Sequence, residues 1–410
     1  VRISVASKAF SRPSRAADRL DAAGAARFHR QGRVRLLRRA GRENLNMMHE
    51  RIRVEKITVV AAAMAVVGAA AGPKVQISDD SWMQFAFLGQ INATRTDGAS
   101  PENDFFVRRA RIILSGQVME GVQFFAETDS PNFGKHGVDA QVKMQDLFVD
   151  LRLPVVTNHY VKAGLILLPF SFESRSGAST LLGHDFNAEV LKLPNAFVWR
   201  DIGAELHGSF LDQRIAYFVG VFDGYDESGG TKNPDADVRL TGHLAVNLLG
   251  KAETGWFFNQ CRLGKAGDYV SIGAGVDRQN KATSSVSALP EGAASPAPAP
   301  EIIDSENWVV DLQSGFEVGG VGLTLNAAWY EWDNALFQGN TAFVETGVLL
   351  AGRVMPVAKY SWQDPDTGAT AEDYTVGLHV FGKGHNLRGG LEFRWGDSPD
   401  QWILGLQLLL

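Results

Sequence analysis

From Trp82 to Leu410 apolar and polar residues alternate with a period of two, in segments of about ten residues divided by Gly, Asp, Asn and Pro. In residues 201–210, Ile202, Ala204, Leu206 and Phe210 form one face, and Asp201, Glu205, His207 and Ser209 the other. Val238, Leu240, Leu244, Val246 and Leu248 likewise oppose Arg239, Thr241, His243 and Asn247. Leu391, Phe393 and Trp395 oppose Arg388, Glu392 and Arg394. Such segments are strands with one face in an apolar medium and the other in a polar one.

Strand starts are expected near Trp82, Phe105, Gly121, Gln141, Tyr160, Asp201, Asp212, Asp237, Asp268, Asn307, Val321, Phe343, Met355, Asp373, Leu387 and Gln401. This even set of sixteen predicts an all-β fold, a transmembrane antiparallel barrel wide enough for an aqueous lumen. Two gaps break the pattern. Residues 171–199 carry several charges, and residues 281–301, rich in Ser, Ala and Pro, read as a flexible outer loop.

The only long apolar run, residues 57–71, has fifteen residues, short of the ~20 that a spanning helix needs. Arg51, Arg53 and Lys56 precede it and three alanines close it, so residues 48–71 are expected to be a cleaved export signal. Residues 1–47 are basic and lack alternation, and are expected to be a disordered upstream extension, with Met47 or Met48 as the start. Residues 72–410, the expected barrel, hold 25 basic and 41 acidic residues. That balance speaks against a nucleic-acid partner. A lone cysteine, Cys261, excludes an intrachain disulfide.

Residues 105–116 (FFVRRARIILSG) and 145–169 (QDLFVDLRLPVVTNHYVKAGLILLP) resemble segments of the phosphate-selective porin O and P family. RDIGAELHG (200–208), YFVGVFDG (217–224), SIGAGVD (271–277) and KGHNLR (383–388) follow in that family's order. The resemblance implies a sixteen-stranded bacterial outer-membrane porin, usually a homotrimer, whose lumen is narrowed by an inward-folded loop and conducts anions such as phosphate. Matched to that family, residues 171–199 are the constriction loop, with Arg175, Asp185, Glu189 and Lys192 as its candidate functional groups.

Alternation sends Arg109 and Arg111 to the lumen, together with Lys162, Arg239, Arg388 and Arg394, and leaves Arg108 at a barrel rim. Eight basic residues on the inward face meet eight acidic ones. A phosphate filter needs an excess of fixed positive charge, so the residues themselves point to passive diffusion of small hydrophilic solutes or ions. No enzyme is expected, since GxSxG, HExxH and Walker patterns are missing and His207 with Ser209 is the nearest catalytic-looking pair. No cofactor or metal is expected. Outer-membrane lipid and transiting ions are the expected partners. A secreted or surface β-rich binding protein, and a barrel sleeve around an electron-transfer partner, remain the competing readings.

Overall fold

The computed structural model describes residues 72–194, 198–224, 237–264, 267–283 and 302–410. The expected extension and signal peptide lie outside the described residues, as does most of the expected outer loop at 281–301. The first half of the chain forms β1 (Lys74–Gln76), β2 (Trp82–Thr96), β3 (Asn103–Met119), β4 (Val122–Asp129), β5 (Lys143–Arg152), β6 (His159–Leu167), β7 (Arg200–Phe210), β8 (Ile215–Phe222) and β9 (Arg239–Leu249). The second half forms β10 (Tyr269–Thr283), β11 (Ile302–Val318), β12 (Val321–Asp333), β13 (Gln338–Leu349), β14 (Val354–Pro365), β15 (Ala371–Phe381), β16 (Leu387–Gly396) and β17 (Gln401–Leu409).

From β2 onward each strand pairs antiparallel with the next, and β17 returns to β2 from Gln401↔Thr96 to Leu409↔Leu88. The result is a closed sixteen-stranded barrel. The short β1 continues the track of β17 along β2, with Lys74 opposite Gln84. All sixteen expected strands form. Two begin earlier than alternation indicates, at Ile302 and Gln338, because their first residues are mostly polar or Gly and carry no apolar period.

Outward positions are apolar. Leu240, Leu244 and Val246 of β9 and Leu404 and Leu406 of β17 are exposed, which is stable only against lipid. Aromatic residues flank this belt. Tyr360, Tyr374 and Trp395 pack in a row near one end, and Phe210 stacks on Tyr217 near the other. Such girdles sit at membrane–water boundaries.

One end of the barrel carries short turns, such as 120–121, 211–214 and 319–320, and the other carries most of the longer loops. Two segments enter the interior from opposite ends. Residues 168–194 come from the loop end, between β6 and β7, and residues 250–264 from the short-turn end, between β9 and β10. They meet inside. Ser176 bridges Phe258, Gly177 N donates to the Phe258 carbonyl at 2.9 Å, and Cys261 N donates to the Thr180 carbonyl at 3.0 Å.

The inner face is not polar throughout. Phe125, Phe148, Phe218, Tyr330, Trp332 and Phe343 project inward from the wall and join Phe170, Phe172 and Phe258 of the inserted segments in one apolar cluster. An inserted loop brings its own apolar side chains, and the wall beneath supplies matching ones to exclude water from the contact.

Candidate channel interior

Inward positions on the β2–β7 arc are mainly polar, and the loop 168–199 is fastened to them. Asp185 receives Arg108 Nε at 2.6 Å and Arg109 Nη2 at 2.6 Å. Arg109 also donates to Gln90 Oε1 at 2.6 Å. Burial alone would raise the Asp185 carboxyl, but Arg108 and Arg109 overcome it and hold that carboxyl well below the usual range. Arg108 is therefore not at a lipid-facing rim. It is the extra residue of a β-bulge, since Gln90 faces Arg109 while Ile91 faces Val107, and the bulge turns its side chain toward the loop. A second bulge makes Gln145 the extra residue of β5, and it is buried beside the wall residues Arg111 and Arg200.

Deeper along the wall, Arg111 bonds Glu127 at 2.7 Å and Asp129 at 2.9 Å. Arg200 bonds Asp146 at 2.7 Å. Lys162 and the loop residue Arg175 share Glu205, each at 2.8 Å. The Arg175 guanidinium also lies 3.8 Å from the Phe218 ring centre, a cation–π contact.

Across the barrel, Arg239 pairs with Asp277 and donates to the Pro194 carbonyl at 2.6 Å. Arg388 donates to three successive loop carbonyls, Leu181 at 2.6 Å and Leu182 and Gly183 at 2.7 Å each. His184 N donates to Glu392 at 2.9 Å, and its ring rests against Gly405, where a Cβ would collide with it. Gly275 likewise lets the Phe170 carbonyl approach the wall.

A network of buried polar groups joins the two inserted segments. Glu173 accepts from Asn187 N at 2.8 Å and from the Gln260 amide. Asn187 Nδ2 also donates to Glu345 at 3.1 Å, and Lys359 lies 3.4 Å from the same carboxylate. Burial, with Glu345 adding to it, pushes the Glu173 carboxyl up to about 8.

Arg109, Arg111, Lys162, Arg239 and Arg388 thus face inward as expected, yet each is buried and committed to a carboxylate or to loop carbonyls. They act as fasteners. Arg394 is half-buried on β16, away from these pairs. In the loop, Arg175 and Asp185 are anchors, whereas Lys192 lies over the Phe337 ring at 5.3 Å and Glu189 is half-buried nearby. Burial lowers the Lys192 ammonium and Glu189 opposes that shift. The other two of the eight basic residues that alternation counts as inward are Arg152 and Arg214; Arg214 is exposed in a turn and Arg152 pairs with Glu120 at the short-turn end.

Sequence reading missed the segment 250–268. Its signal was its length, about five times the ~4 residues of an ordinary hairpin turn, combined with Trp256, Phe257 and Phe258 in a row. His207 Nε2 lies 3.1 Å from Asp150, and among the described residues the Ser209 side chain makes no hydrogen bond to that ring, so these two residues do not form a nucleophile–base pair in the structure.

No protein-family model matches the chain, and no curated protein sequence does. Solved structures do. Salmonella typhi OmpF, in complex with daunomycin, superposes with a TM-score of 0.57 at 10% identity over 82% of this chain and 100% of that one. OmpT of Vibrio cholerae, an outer membrane protein with loop L8 deleted, gives 0.55 at 12% identity over 81% and 100%. A mutant Rh. blastica porin gives 0.51 at 13% identity over 80% and 100%. At such identities the likeness is one of fold, the porin barrel.

Proposed function

We propose that this protein is an outer-membrane channel through which small hydrophilic solutes and ions diffuse passively. One observation carries the reading: a closed barrel with an apolar exterior between aromatic girdles encloses a charged interior narrowed by an inward-folded loop. Nothing but a membrane accommodates that exterior, so the secreted binding protein is disfavoured. The channel is exported by the signal at residues 48–71 and cleaved after it. It assembles as a homotrimer, as does the trimer form known for Vibrio cholerae OmpT.

Ion preference is weak in this reading. Arg108, Arg109 and Arg111 face Asp185, Glu127 and Asp129 in equal number, so the excess positive charge that a phosphate filter requires is not supported. Fractionation of cells making the full chain tests the proposal. The protein is expected in the outer membrane, running faster on gels unheated than heated and cross-linking as a trimer. A soluble secreted product would sink it.

A further inference from the structure

At the short-turn end, strands β3 to β7 and the segment 250–268 enclose a cavity of about 500 Å³, within the ~300–1,000 Å³ range of small-molecule sites. Each of its charged side chains already has a partner. Arg152 pairs with Glu120 at 2.7 Å, and Asp150 holds both His207 Nε2 at 3.1 Å and Trp256 Nε1 at 2.6 Å. What remains for a ligand is neutral. The side chains of Gln123, Asn158, Gln213, Ser209 and Thr254 line the cavity and make no hydrogen bond among the described residues.

Two fixed aromatic rings share the same wall. Trp256, half-buried, is pinned by Asp150 and packs edge-on against Phe125 and Phe148, with centroids at 5.6 and 5.3 Å. Tyr160 lies parallel to His207 at 5.2 Å, and Phe218 backs His207 at 5.9 Å. An anion would find no uncommitted cation here, and a purely apolar ligand would leave the amides and hydroxyls unpaired. A ring with one apolar face and a rim of hydroxyls satisfies both sets.

We propose that this cup binds pyranose sugars, with the apolar ring face on Trp256 and Tyr160 and the hydroxyls on the surrounding amides. The inference deepens the channel reading by naming a solute class that is held at one mouth. Calorimetry of maltose binding to the folded full chain, in an amine-oxide detergent rather than a sugar detergent, tests it. Saturable binding is expected, weakened roughly tenfold (~1.4 kcal/mol) in Trp256→Ala. The doubly substituted Gln123→Ala/Asn158→Ala chain, which leaves the inserted segment untouched, is expected to weaken it by a similar factor. Mannitol, with hydroxyls but no ring, is expected not to bind.

Absence of saturable maltose binding overturns the proposal, as does equal binding of mannitol or undiminished binding by both variants in their heat-modifiable folded form. Micellar binding needs no conduction. Binding without conductance would therefore sink the channel and leave the cup, and conductance without binding would do the reverse.

Discussion

Asp185 stands 2.6 Å from two guanidiniums, and its backbone carbonyl accepts from Lys359 Nζ at 2.9 Å. Asp185→Ala leaves Arg108 and Arg109 facing each other without a counter-charge. The cost is expected to be about 1–3 kcal/mol, below that of a fully buried pair, because the Asp185 side chain keeps 35% exposure. Urea unfolding in lipid vesicles reads that loss, and the reversal potential should move toward anions. Glu173 behaves differently. Its folded pKa is raised to about 8, so the docked loop holds an extra proton between the unfolded carboxylate range and that value. Docking strength is therefore full at low pH and falls as pH rises through about 8. Glu173→Gln should remove this dependence, as read by protease sensitivity of the loop from pH 6 to 9, a range chosen to span roughly that titration; an unchanged pH profile would remove Glu173 from the account.

At the scale of elements, the two inserted segments hold each other. Phe258 is buried against Phe218 and carries both backbone bonds to the loop residues Arg175 and Gly177. Phe258→Ala is expected to cost about 3–5 kcal/mol of local packing and to undock residues 250–268. Cys261, buried in that segment with its thiol pushed up to about 11 by burial, is the built-in reporter. Maleimide should label it slowly in the parent chain and at least several-fold faster in the variant; equal rates would mean that the segment does not depend on Phe258.

Strands were legible in the sequence because lipid outside and polar groups inside impose a period of two on residues such as 201–210 and 238–248. Parity also placed Arg109, Arg111, Lys162, Arg239 and Arg388 on the correct face. It misplaced Arg108 because that residue is itself the extra one of a bulge, set beside Arg109 opposite Gln90, which breaks the alternation at that point, and no residue type marks such a bulge. Partners were illegible for another reason: Asp185 and Arg109 are 76 positions apart, and only the folded loop brings them together.

On the scale of the whole molecule, the barrel separates its problems. Its outer face follows lipid, and its inner face balances charge against charge. Because the interior pairs are nearly matched, a strong electrostatic filter is not expected, and the family resemblance extends to architecture further than to phosphate. Single-channel recording of the purified full chain in a planar bilayer, with the reversal potential measured under a salt gradient, tests this most directly. Discrete conductance steps reversing close to zero, with little effect of added phosphate, are the expected result; folded barrels that give no steps, or a strongly anion-selective current blocked by phosphate, would contradict it.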